Sequence, residues 1–174
     1  MKNTINNQQG AVLLVSMVIL VALTMLGVTS MKSSLTELTM AGNLREAGLT
    51  FQAAEAGLRT AESIIENSTS LDIFDGTASM LNEASLDPNY LATASWTTAT
   101  AANVNLSNIS TNPRYIIRYL GPRNTNPLAD KNISGGYGAS QVGTIIQNFR
   151  VTSRGSGQTG NFFRVVQSYY GKEY

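Results

Sequence analysis

The chain has 174 residues, a formal net charge of +1, and neither cysteine nor histidine. Composition therefore excludes thiolate and imidazole metal sites, Cys–His pairs, Ser–His–Asp triads and any disulfide staple. The small net charge hides a division along the chain: residues 68–112 carry only the acids Asp72, Asp75, Glu83 and Asp87, whereas residues 113–174 are rich in arginine.

Residues 1–10 are polar, hold Lys2 as their one charged side chain, and end in Gly10; residues 11–28, AVLLVSMVILVALTMLGV, follow with no charge and no proline. As a helix, eighteen residues span about 27 Å, close to the hydrocarbon thickness of a bilayer. Three readings compete for this run. A cleaved secretory signal has a shorter apolar core and a small-x-small site, and SMKSSLTEL after this run stays helical in character. A plain signal anchor needs nothing further. In the third reading, cleavage after Gly10 leaves the apolar helix as the new N-terminus. The short flank with Lys2 stays cytoplasmic and the bulk lies outside. About 146 residues then remain for one core and not two. Ser16 and Thr24 can bond carbonyls one turn back, and Gly27 is the softest point of the span.

Residues 29–67 continue the helix. Met40, Leu44, Ala47, Phe51, Ala54, Leu58, Ala61 and Ile65 recur at alternating steps of four and three, an apolar stripe on one face. Leu44, Phe51, Leu58 and Ile65 mark the side expected to contact a sheet. Arg45, Gln52, Arg59 and Glu66 lie opposite, with Glu55 four residues before Arg59 as a helix-supporting pair. Gly42, Gly48 and Gly57 each cost roughly 1 kcal/mol against alanine, so packing has to hold this helix. Its small residues suit either helix-to-sheet contact or a helix-to-helix interface.

Asn67, Ser68, Thr69 and Ser70 favour a helix end. Residues 68–112 read as a long polar connection, since 17 of the 22 residues at 91–112 are Ala, Ser, Thr or Asn. A short helix over 78–86 and a strand near Trp96 are the elements expected within it. Residues 113–174 form the sheet region. Period-two alternation marks strands at 114–119, 149–154 and 163–168, while 121–141 are too rich in Gly, Pro and Asn for a strand. Arg114, Arg118, Arg150, Arg154 and Arg164 fall on positions read as solvent-exposed, a face suited to DNA, lipopolysaccharide or an acidic patch of a neighbouring subunit. The acidic segment 68–112 is a nearer partner. Without interleaved exposed aromatics, specific nucleic-acid binding is not expected.

GSGQTG at 155–160 matches a dinucleotide fingerprint by letter, but NFFRVVQSYY follows as a strand where that motif needs a helix, so the expectation is a hairpin turn. Asp72, Asp75 and Asp87 fit no calcium-loop spacing. Neither a cofactor nor an enzymatic role is expected.

Gly10 directly before an uncharged apolar run resembles the processing junction of type IV prepilins, filament-subunit precursors that a dedicated peptidase cuts after a glycine and methylates on the new amine. MAGNLRE at 40–46 and FQAAEAGLRTAES at 51–63 are similar to the PilX-type minor pilins. The resemblance covers residues 9–66 most strongly. It implies an α+β, type IV pilin-like fold: a long N-terminal helix, membrane-spanning in its first half, packed on a small antiparallel sheet. Gly10 and Ala11 become the processing site, with prepilin peptidase, other minor pilins, the major pilin and the inner membrane as partners. Before assembly the C-terminal region is periplasmic; afterwards the protein is in the filament at the cell surface. The implied role is to prime assembly of the fimbrium and support twitching motility, adhesion or DNA uptake. Major pilins carry glutamate at the fifth mature residue, where this chain has Val15. That departure points to a place at or near the filament tip. A type II secretion pseudopilin, or a pilus-borne adhesin binding through residues 68–112, are the alternative readings.

Overall fold

A computed structural model describes residues 9–125 and 144–174. The leader's first eight residues, and most of the loop expected at 121–141, lie outside the described residues. The chain divides into two compact units between Leu44 and Arg45.

One helix, α1 (Gln9–Asn67), contributes to both units. Its run through Gly27 is unbroken. In the first unit it carries an 18-residue window of mean hydropathy 2.8 of which 0% is buried, long and apolar enough to cross a membrane.

The second unit holds the rest of α1 and five strands: β1 (Met80–Leu81), β2 (Thr100–Ala101), β3 (Arg114–Asn124), β4 (Ile145–Ser156) and β5 (Phe163–Lys172). β3, β4 and β5 form an antiparallel meander on the three expected strands, each longer than its alternation suggested. β3 runs on through Gly121 and Pro122 by way of a bulge between Tyr119 and Gly121. Gly121 has φ +98°, a conformation open to glycine. That bulge is why a stretch too rich in Gly and Pro for a regular strand still pairs. β1 lies parallel to β3, so the sheet is mixed rather than wholly antiparallel, and β2 pairs antiparallel with the same strand.

The connection 68–112 departs from expectation. Residues 80–81 are strand rather than helix, and Thr93–Trp96 is a 3-10 turn rather than a strand. Long-range pairing with β3 decides β1, and the strand near Trp96 lies instead at Thr100–Ala101, again by pairing with β3; a two-residue strand carries no readable period. Trp96, Ala99 and Ile116 form a second small core on the sheet face away from α1, joined by Leu81, Tyr90 and Val165. The segment thus covers a face that alternation alone leaves to solvent.

The main core lies between α1 and the sheet and joins Leu58, Ala61 and Ile65 to Phe74, Tyr115, Ile117, Phe149 and Val151. Leu58 and Ile65 are buried as the stripe requires, but Leu44 and Phe51 are 74% and 40% exposed. Ala54 of the stripe is buried as well, but the rest of the buried face above Leu58 is Glu46, Thr50, Ala53 and Gly57. The cause is close approach. A Cβ on Gly155 of β4 would lie 2.3 Å from the Ala54 amide nitrogen and 2.5 Å from the Thr50 carbonyl oxygen, and one on Gly57 would lie 2.3 Å from Ser153 Oγ. Small residues on both sides let the backbones meet, leaving no room there for a phenyl ring. Gly42 and Gly48 have no such neighbour within 4 Å.

α1 ends where its capping residues stand. Lys172 of β5 donates to the carbonyls of Ile65, Glu66 and Ser68, placing a cation on the negative end of the helix dipole. Ser168 and Tyr170 donate to Glu62 and Glu66, which binds β5 to the helix.

Candidate assembly helix and the arginine face of the sheet

From Gly10 to Leu44 every residue of α1 is exposed. Gly10 and Ala11 stand in its first turns, and Val15 is 54% exposed among Leu13, Leu14 and Val18. The backbone bonds within the helix, Ser16 Oγ donates to the Leu13 carbonyl at 2.9 Å, and Thr24 Oγ1 donates to that of Val21 at 2.8 Å. With those groups satisfied the surface is suited to hydrocarbon or to other apolar helices. The first carboxylate along it is Glu37.

The five arginines do not form one free cationic face. Arg118 and Arg150 stand directly across from each other on β3 and β4, and both pair with Asp87, at 2.5 Å from Arg118 Nη1. Partial burial works to raise the Asp87 carboxyl, but the bonds and charges of the two guanidiniums outweigh it and hold the group below the usual carboxylate range. Tyr90 adds its ring under Arg150, 5.7 Å from the guanidinium carbon. Arg114 Nη1 donates to the carbonyls of Trp96, Thr97 and Ala99. Arg154 lies over the Phe163 ring at 4.0 Å. Arg164 is exposed and shares the helix-facing side of β5 with Val166, Ser168 and Tyr170. The exposed-face expectation fails for the other four because alternation reports which side a residue takes and not what later packs there. The acidic composition of 68–112 was the signal for the partner found.

Glu46, within MAGNLRE, was not singled out from sequence. It is 8% exposed and accepts from the Thr159 amide at 3.0 Å and its hydroxyl at 2.8 Å, tying α1 to the turn between β4 and β5. Gly157 makes the fit possible, since a Cβ there would meet the carboxylate at 2.3 Å. So GSGQTG serves as a hairpin turn whose amide holds a helix carboxylate. Those hydrogen bonds, the Thr159 amide first, pull the Glu46 pKa below the ordinary glutamate value. A depressed carboxylate pKa stabilises the fold above the unfolded value and loses that contribution as pH falls through the folded one. The Thr159 amide resonance should therefore titrate with a midpoint below that of an ordinary glutamate; a midpoint at or above the ordinary one would show the tie absent in solution.

Among the described residues no group of three or more metal-ligating side chains gathers: Asp72 bonds Ser70, Asp75 bonds Thr77, and Asp87 takes the arginines.

Residues 9–59 match the family model described as PilX N-terminal, and residues 50–172 match that of the type IV pilus assembly protein PilX C-terminal region. No curated protein and no solved structure matches the chain.

Proposed function

The chain belongs to the PilX family of type IV pilus assembly proteins, and we propose that it acts as the minor pilin entering first, at the filament tip. In this reading a peptidase removes residues 1–10, Ala11 becomes the methylated N-terminus, and residues 11–28 wait in the inner membrane with the second unit in the periplasm. The subunit then joins other minor pilins, primes the polymer and leads the major pilin outward. Twitching motility, adhesion or DNA uptake would be downstream of that act.

Val15 is the observation that carries the tip assignment. In the pilins this chain resembles, a glutamate at that place neutralises the terminal amine of the subunit ahead. A first subunit has no such amine, and an unpaired carboxylate among apolar helices is expensive. An apolar residue is the economical choice there. The family match favours a pilus over a type II secretion pseudopilus. A binding role for residues 68–112 stands as a second reading, favoured by a cleft that Thr93, Trp96 and Thr97 help to line.

Immunogold labelling of tagged protein on intact filaments tests the placement. Gold confined to filament ends supports it; gold along the shaft overturns it.

A further inference from the structure

The sheet face away from α1 carries two cross-strand arginine pairs built alike. Arg118 stands opposite Arg150, and Arg114 opposite Arg154, four residues along each strand. Like charges directly opposite on antiparallel strands repel. The first pair is neutralised from within the chain by Asp87. Among the described residues the second has no carboxylate. Arg114 has only neutral carbonyls as acceptors, and Arg154 has the Phe163 ring and, among the described residues, no hydrogen-bond acceptor. The Arg154 pKa is drawn below its ordinary value, first by burial and then by repulsion from Arg114.

This unneutralised pair lines a cleft of about 240 Å³ between the 3-10 turn, β3, β4 and the start of β5. Thr97, Thr111, Asn112 and Ser156 supply hydroxyl and amide groups to the wall, and Phe163, 44% exposed, supplies an apolar surface. The volume exceeds what one carboxylate occupies and leaves room for a ring.

We propose that this cleft binds an acidic sugar residue, with its carboxylate between Arg114 and Arg154 in the place that Asp87 takes between Arg118 and Arg150, and its hydroxyls on the Thr, Ser and Asn side chains. Guanidiniums match carboxylates in a planar, bidentate way, and hydroxyl-bearing walls beside an aromatic ring suit a sugar. The inference stands whether the subunit sits at the tip or in the shaft.

The chain's single tryptophan, Trp96, lines the cleft and reports on it. The full chain in micelles of a sugar-free nonionic detergent is titrated with glucuronate, glucose, acetate, inorganic phosphate and a glutamate-rich peptide while Trp96 fluorescence is followed. Saturable binding of glucuronate, at about 1 mM or tighter, is expected. Acetate and glucose should bind at least about tenfold more weakly, since each lacks one half of the recognised chemistry. Arg154→Gln should weaken glucuronate by a similar factor, whereas Arg164→Gln, outside the cleft, should leave it unchanged. No saturable response to glucuronate overturns the proposal. Acetate or phosphate binding as well as glucuronate overturns the sugar assignment, and a response to the peptide alone replaces it with a protein partner.

Discussion

Replacing Phe149 by alanine is expected to lower stability by about 3–5 kcal/mol, the range for emptying a fully buried aromatic site. Phe149 is 0% exposed and its ring lies 4.8 Å from Phe74, 5.4 Å from Tyr119 and 6.4 Å from Tyr174. Among the described residues it is the largest side chain with no exposed surface. For a chain of this length the change corresponds to a melting temperature lower by roughly 6–20 °C. Phe51→Ala should cost less than about 1 kcal/mol, because that ring is partly exposed and outside the core. Gly155→Val approaches the same contact from the other side: its added carbons have only the Thr50 and Ala54 backbones to enter, and overpacking of that kind costs about 1–3 kcal/mol or more. Thermal melts of the full chain in detergent micelles, followed by near-ultraviolet dichroism, rank the three. A Phe51→Ala loss equal to that of Phe149→Ala would mean the helix presents its sequence stripe to the sheet after all.

Val15→Glu is expected to have the largest effect on assembly. Val15 is the fifth residue of the apolar run, so an unpaired carboxylate there costs less than the about 2.5–3.5 kcal/mol of a helix centre but still opposes burial among apolar helices. A first subunit offers it no amine ahead, so pilus number per cell should fall by at least about tenfold. Val15→Leu should leave piliation intact, which separates charge from shape. Piliation restored or increased in Val15→Glu would place the subunit behind another and contradict the tip reading.

How far the sequence carried can be followed residue by residue. The apolar run at 11–28 and the helix end at Asn67 were legible because both depend on local chemistry: uninterrupted hydropathy and capping residues. The three long strands were legible from period two. The helix face was half legible, since Leu58 and Ile65 pack where the stripe puts them. Nearer the N-terminus the sheet instead approaches over Thr50, Ala53 and Ala54, because Gly155 permits backbone contact there. A periodic pattern identifies a face only while large side chains make the contact. Glu46 stayed hidden because a buried carboxylate is satisfied by partners remote in sequence, here Thr159. β1 and β2 are two residues each and exist only by pairing with β3. Arg114, Arg118, Arg150 and Arg154 are half-buried where alternation led to an expectation of exposure, and their environment was missed because the segment that packs on that face is irregular.

The central claim, that this chain is processed and polymerised as a pilin, is tested most directly by mass spectrometry of the N-terminal peptide from sheared, washed filaments. The expected peptide begins at an N-methylated Ala11. Recovery of an intact Met1, or of a terminus near Ser30, would contradict it.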